Sequence, residues 1–519
     1  MEYCASNLTT GDLPCMVIKN HIDAPEFFSP CDAMKLPATG GCFSYEDDRE
    51  KVLDVLQTMV HHKASYFDEI GDVHLARLMR CFAPMMTGGI DRAALAAPAS
   101  HAAETAVDRL KKRMRWRDDA TEAAWTAATG WNLMTIAAMV DDVAAVRELC
   151  AAEDAITLLS ARGKPLKPTQ PHHRLPFARM LLNMSAGHVP LMGAMGYASS
   201  SVVTIMLRAG CPLPTGKDLL ETFCGSPCHR PSGALFNGRT DNCDAFLAVH
   251  PHALNLNVPG GADTFWQNLM HIAVGIDRPH IKPNVEWLLE RGCQPLMKMK
   301  MAMGTTPMHH LFYNLDADLS VLPVFENADT DFVRDNISSI SHPMTKFWGV
   351  YHSARVFGLI NSKSFNMARM FKQFIIVGTP LHLAAVQGNV QAVATLLDMG
   401  CDPTIRSKAS TKVPGCKRLT AYEIFLYKYP ESAAVAAVAK MHEERGFGHV
   451  VASAKVSRKR ATLAKTKIEQ VVEAVKVPGA RKAMGMGGKA AKKYQVAPMP
   501  VPIDHLTADE ITPVEPFEG

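Results

Sequence analysis

The segment Gly378–Pro403, GTPLHLAAVQGNVQAVATLLDMGCDP, constrains this chain more than any other stretch. Thr379–Pro380 opens a helix, because proline suits the first helical turn, where its missing N–H costs nothing. Leu381, Leu383, Ala384 and Ala385 supply small apolar packing positions. Gly388–Asn389 makes a turn. Val390, Val393, Ala394, Leu396 and Leu397 then mark a second helix at i, i+3, i+4, i+7 spacing. Gly400 ends it as a left-handed cap. A helical hairpin of this kind has one apolar side that it cannot bury alone, so neighbours must stack on it.

Degraded copies recur. Gly304–Phe312 reads GTTPMHHLF, with Thr306, Pro307 and His309 where the first unit has Thr379, Pro380 and His382. Asn268–Val274 reads NLMHIAV and is followed by NVEWLLERGCQP at Asn284–Pro295. Val189–Pro212 and Asn132–Cys150 repeat the hairpin pattern, and Leu419–Met441 opens with LTAYEIF, which has Ala where Pro stood. The bulk numbers agree with stacked hairpins. Apolar residues make up 47% and charged residues 20%, which excludes disorder over most of the length. An aromatic share of 7% with 29 Met describes an aliphatic core that suits packed helices better than sandwiches.

The TPLHLAA segment carries the T-P-L-H-x-A pattern, and the unit closely resembles an ankyrin repeat. The resemblance extends in degraded form over Gly130–Glu444. It implies stacked helix-turn-helix units of about 33 residues and a protein-binding role. It also implies that the motif's Thr and His hydrogen-bond to hold the turns of adjacent units, which would make Thr379/His382, Thr306/His309 and His271 structural. The positions equivalent to His382 are Thr135, Met192, His271 and His309, at separations of 57, 79, 38 and 73 residues along the chain. None equals one period, so eroded repeats are expected near Ala234–Leu256 and Asp331–Phe374, with a long loop at Arg162–His173. Cys211, Cys293 and Cys401 each follow a helix-ending Gly, where the resemblance implies a small buried residue.

The flanks differ. Residues 1–48 have no clear periodicity and are expected to be irregular. Residues 49–129 are helical in pattern, with Val52, Leu53, Val55, Leu56 and Met59 at helical spacing, and are expected to cap the array. The basic cluster Lys111–Arg117 is expected to be a solvated helix face, offset by Asp118, Asp119 and Glu122. Residues 445–519 form the tail. Lys455–Lys493 holds twelve Lys and Arg against two Glu, whereas Val501–Gly519 holds five acids and no Lys or Arg. The overall net charge of +4 is an average over these opposed segments and a nearly neutral remainder. Ala461–Val477 reads as a basic amphipathic helix suited to a partner, an acidic membrane or nucleic-acid phosphate. Lys455, Arg458, Lys459 and Arg460 lie in KVSRKR, which looks like a short import signal.

No secretory signal is expected from the first twenty residues, which contain acids, Pro14 and no unbroken apolar run. The uncharged stretch Met180–Leu207 approaches the length of a membrane span. Asn183, His188, Pro190 and Ser199–Ser201 instead favour two buried short helices around a turn. Thirteen cysteines without a secretory signal read as free thiols. Cys224 and Cys228, with Cys243 nearby, have a C-x3-C spacing tolerable for zinc, but no second tight pair follows, so no metal or other cofactor is expected. No phosphate-binding loop, nucleophile elbow or H-E-x-x-H helix occurs.

These readings predict an all-α fold, a solenoid of stacked ankyrin-like repeats with irregular insertions and a disordered basic and acidic C-terminal tail. The expected function is a non-catalytic protein-interaction scaffold in the cytoplasm or nucleus, with turn tips and first helices making contact. Gln387, Asn389 and Arg406 are contact candidates by position. The alternatives are a nuclear adaptor whose basic tail engages nucleic acid or an acidic partner, and a metal-containing enzyme built around the Cys224–Cys228 pair.

Overall fold

The computed structural model describes residues 15–17, 26–28, 47–86, 104–116, 119–164, 169–174, 182, 187, 189–214, 222–223, 233–252, 255–257, 267–275, 280–301, 304–312, 317–341, 378–407, 418–429 and 432–456. They fall into two compact units. One holds the described residues up to 333, the other those from 334 onward, and the division lies within the helix Thr330–Ile337. The structure is predominantly helical. Strand β1 (Cys15–Val17) pairs antiparallel with β2 (Glu26–Phe28) in register Met16 to Phe27, within the segment that reads as irregular.

In the first unit, α1 (Asp47–Glu69) and α2 (Val73–Met86) form a helical hairpin. The buried stripe of α1 is Leu53, Leu56, Val60, Ala64 and Phe67, and Val55, which periodicity places with them, is exposed. Helix α3 (Ala106–Arg113) starts from a capping box in which Thr105 and Asp108 exchange hydrogen bonds. Helix α4 (Asp119–Thr129) leads into the array.

The array of the first unit has two columns. First helices run from α5 (Leu133–Met139), with α6 (Val143–Cys150) as its second helix, to α8 (Pro190–Tyr197) with α9 (Ser200–Arg208); the short α7 (Ala155–Leu159) follows α6. The column continues through the 3-10 turn Leu235–Asn237 with α10 (Thr240–Val249), then α11 (Leu269–Val274) with α12 (Ile281–Glu290). The short α13 (Pro295–Lys298) precedes α14 (Pro307–Leu311), whose second helix is α15 (Leu322–Ala328). First helices pack on first helices and second on second: α5 on α8, α11 on α14, α6 on α9, α9 on α10 and α12 on α15. The eroded repeat expected near Ala234–Leu256 is therefore present, with its first helix reduced to one turn. Of the segment 331–374, only residues up to 341 are described.

The uncharged stretch that approached a span length supplies α8 and α9, joined by a short turn. Among the described residues no helix is long and apolar enough to cross a membrane.

The second unit contains α16 (Pro380–Val386), α17 (Val390–Asp398), α18 (Ala421–Lys428) and α19 (Ala433–Glu444). Again α16 packs on α18 and α17 on α19. Residues 448–456 form a further helical stretch that buries Val450, Val451 and Ala454. This part of the tail is packed against the fold, and residues from 457 onward lie outside the described residues.

Candidate functional site

The repeat signature forms a hydrogen-bonded joint between neighbouring units. Thr379 precedes α16 in extended conformation, and Pro380 occupies the first turn. The Thr379 hydroxyl donates to Nδ1 of His382 at 2.8 Å, and the Thr379 main-chain N–H reaches the same nitrogen at 3.2 Å. With Nδ1 accepting, Nε2 carries the ring proton and donates to the carbonyl of Leu419 at 3.1 Å. Leu419 directly precedes Thr420, the cap of the next first helix. In the first unit, Thr306 and Pro307 open α14, and the Thr306 hydroxyl meets His309 Nδ1 at 2.9 Å. His271 Nε2 donates to the carbonyl of Thr305 at 3.0 Å, one residue before Thr306.

Burial pushes His382 down to about 4, against the raising effect of the Leu419 carbonyl. Burial, with His310 adding to it, pushes His271 down to about 3. Both are neutral joints near pH 7.

Caps vary around this joint. Asn132 stands at the cap of α5, and its Oδ1 accepts from the N–H and the hydroxyl of Thr135 at 3.0 and 3.2 Å. Its Nδ2 donates to the carbonyl of Leu158 at 2.8 Å. Asn268 likewise caps α11 and donates to the carbonyl of Leu296 at 2.9 Å. An amide cap thus reaches one more carbonyl than a hydroxyl cap does.

The turn glycines are conformationally required. Gly388 and Gly400 have φ of +67° and +85°, in the left-handed region. A Cβ on Gly388 would also lie 2.9 Å from the ring of Tyr429. Cys211, Cys293 and Cys401 are buried, and burial pushes their thiols up to about 12, 11 and 11.

The three contact candidates sit in the second unit in differing surroundings. Gln387 is buried. Asn389 Oδ1 accepts from Ala392 N–H at 2.9 Å and caps α17. Arg406 is half-exposed, and its Nη1 donates to the Arg418 carbonyl and to Glu423 Oε2, at 2.6 and 2.9 Å.

The expectation that first helices supply contact side chains is corrected at five of them, while α18 exposes Tyr427. Every residue of α5, α11, α14 and α16 is buried, as are Pro190–Gly196 of α8. Exposed side chains come instead from the second helices, such as Arg147 of α6, Arg208 of α9 and Glu290 of α12.

Sequence reading missed two buried amides. Asn242 of α10 donates to the carbonyls of Ala194, Met195 and Ala198 at the end of α8, at 3.2, 2.9 and 2.9 Å. Asn284 of α12 donates to the Leu235 carbonyl at 2.7 Å. Asn242 thus gives the Met195 and Ala198 carbonyls at the helix end a donor, whereas the Ala194 and Leu235 carbonyls accept the amide in addition to the main-chain N–H of Ala198 and Gly238. An apolar-periodicity scan passes over such residues because they are polar at core positions.

The basic cluster is largely paired inside the first unit. Lys111 meets Glu122 at 3.0 Å, Lys112 meets Glu104 at 3.9 Å and Arg115 meets Asp68 at 2.8 Å. Trp116 is buried, with the Arg77 guanidinium 5.0 Å from its ring centre. Of the candidate zinc cysteines, Cys224 and Cys228 lie outside the described residues, and Cys243 is buried on α10. Lys455 ends the described tail, and Arg458, Lys459 and Arg460 lie beyond it.

No curated protein matches this chain. Residues 378–408 match the family model of the Ankyrin repeat, the segment that contains α16, α17 and the Thr379–His382 joint. The chain therefore carries an ankyrin repeat at residues 378–408, among hairpins that keep its two-column packing while losing its sequence pattern.

Proposed function

We propose that this protein is a non-catalytic protein-interaction scaffold. The ankyrin repeat at 378–408 carries the reading, because such repeats point to protein partners. A surface held rigid by buried joints loses little ordering entropy on binding. The contact surface consists of turn tips and the outer faces of second helices, since α5, α11, α14 and α16 are buried. In the first unit the adjoining α6 and α9 present Arg147 and Arg208 to solvent. The test is quantitative partner capture with the full chain and with an Arg147→Glu, Arg208→Glu variant. The reading expects partners depleted by the variant at unchanged thermal unfolding. An identical partner set for wild type, this variant and an equivalent reversal at Arg406 would oppose it.

A second reading rests on the twelve basic residues against two Glu within Lys455–Lys493. That segment engages nucleic acid or an acidic partner, in the nucleus, while the repeats recruit another protein. Phosphate contacts make such binding fall steeply with salt. Deleting residues 457–493 leaves the buried 448–456 stretch intact. Loss of binding on that deletion supports the second reading, and nucleic-acid binding undetectable at low salt removes it.

A further inference from the structure

Asp72, His172 and His173 converge in the first unit from positions about a hundred residues apart. Asp72 stands just before α2, and its Oδ1 accepts from the Leu75 N–H at 3.1 Å. Its Oδ2 lies 2.6 Å from His172 Nε2 and 2.5 Å from His173 Nε2. The three ligand-type atoms all lie within 4.8 Å of one another. The Asp72 and His173 side chains are 4 and 5% exposed, whereas His172 is 26% exposed and opens the cluster to solvent. The Phe67 ring lies stacked near His172, with centroids 6.2 Å apart, and backs the imidazole from α1.

We propose that Asp72 Oδ2, His172 Nε2 and His173 Nε2 form a site for a divalent transition-metal ion of the zinc class. Two imidazoles and one carboxylate are a donor set that zinc and its neighbours favour, with three protein ligands leaving further positions for water. Both Nε2 atoms now point at Asp72 Oδ2 itself, at 2.6 and 2.5 Å, and ligation at about 2.0–2.1 Å would open each pair to about 3.3 Å. The three residues come from the start of a fourteen-residue helix and from the 3-10 turn Pro171–Arg174, so the cluster does not depend on one flexible strand of chain.

The second shell adds a consequence. Without a metal, the main-chain N–H groups of Thr169 and Gln170 donate to His173 Nδ1 at 3.0 and 3.3 Å. Nε2 therefore carries the ring proton and donates to Asp72. A metal ion needs the Nε2 lone pair. The ring proton moves to Nδ1, none is lost from the site, and Nδ1 changes from acceptor to donor. The amides of Thr169 and Gln170 must then turn away. Metal occupancy thus re-sets the segment 169–174.

The experiment titrates the chelator-treated full chain with zinc and, separately, with cobalt(II). The expected result is one equivalent bound with cobalt d–d absorption and no thiolate charge-transfer band, because no cysteine is a ligand. His172→Ala and Asp72→Asn should each weaken binding by more than about tenfold, the scale on which even outer-shell partners act. His172 is the most exposed ligand, so its variant keeps the test usable if an Asp72 variant loses the fold; circular dichroism in chelator checks both. Amide exchange at Thr169 and Gln170 should quicken on zinc addition. Absence of stoichiometric binding overturns the site, as does equal binding by wild type and His172→Ala, or a thiolate band. Unchanged exchange at the two amides overturns the re-setting of the segment.

Discussion

His382 donates through Nε2 to the main-chain carbonyl of Leu419 at 3.1 Å, so a side chain of one hairpin fixes the residue before the next hairpin's cap. The geometry has the same sense at His271 and Thr305, at 3.0 Å. The His382 joint is satisfied on both ring nitrogens, which is what a buried imidazole requires.

Replacing His382 with Ala should cost about 2–3 kcal/mol. It leaves the buried Thr379 hydroxyl and the Leu419 carbonyl without this partner and opens a cavity. Amide hydrogen exchange in α16 and α18 is the appropriate measurement, because a two-unit chain need not unfold in one step. Unchanged protection would show that the joint contributes nothing.

Stability should fall as pH drops through the acid range. His382 and His271 are held at about 4 and about 3, below the ordinary value of 6.5, first of all by burial. Below pH 6.5 the unfolded chain takes up protons that the folded chain refuses. The neutral joints are therefore at full strength above about pH 6.5 and lose stability toward the folded values. The slope is about 1.4 kcal/mol per pH unit for each histidine. Urea midpoints measured between pH 7 and pH 5 should show this decline, and His382→Gln should remove part of it from the second unit.

Two turn glycines should respond differently to Ala. At Gly400, φ is +85° and a Cβ meets nothing within 4 Å, so only the left-handed penalty of about 1–2 kcal/mol applies. At Gly388 the Cβ also meets the Tyr429 ring at 2.9–3.1 Å, and Tyr429 is held by a 2.7 Å bond from its hydroxyl to the Val386 carbonyl. Gly388→Ala should therefore be the more damaging change in thermal unfolding; equal effects would contradict the packing.

Leu396 is fully buried on α17, which packs between α16 and α19. Leu396→Asp places an unpaired carboxylate there and should cost more than about 3 kcal/mol. Cooperative unfolding of the second unit at the wild-type midpoint would rule out the stacked assignment.

A chain ending at Gly446 loses the buried Val450, Val451 and Ala454. It should be less stable than a chain ending at Val456 by about 3 kcal/mol, the scale of two buried valines. Equal exchange rates in α19 for the two truncations would show that the 448–456 stretch contributes no packing.

Local pattern made the strong hairpin legible. Pro380, the apolar spacing of α17 and the two glycines are cues within some thirty residues, and the helices lie where those cues place them. The reduced repeat at Leu235–Val249 was legible only from an irregular spacing, since one 3-10 turn carries no helical period. The helical pattern after residue 48 shows no break where α1 ends and α2 begins, and it groups Val55 with the buried residues because neighbouring valines and leucines make the period ambiguous. Asn242 and Asn284 were not legible, because their value lies in carbonyls more than forty residues away.

The sequence by itself determined the helical hairpin, its stacking requirement and the division of charge in the tail, because these follow from backbone preference, apolar period and residue type. Only the tertiary structure decided that α5, α11, α14 and α16 are buried all round, which leaves the exposed side chains to the second helices and to Tyr427 of α18. Only it brought Asp72 beside His172 and His173. The physical reason is the same in both cases. Burial and ligand geometry depend on which segments meet in space, and contacts across a hundred residues leave no periodic trace in either segment.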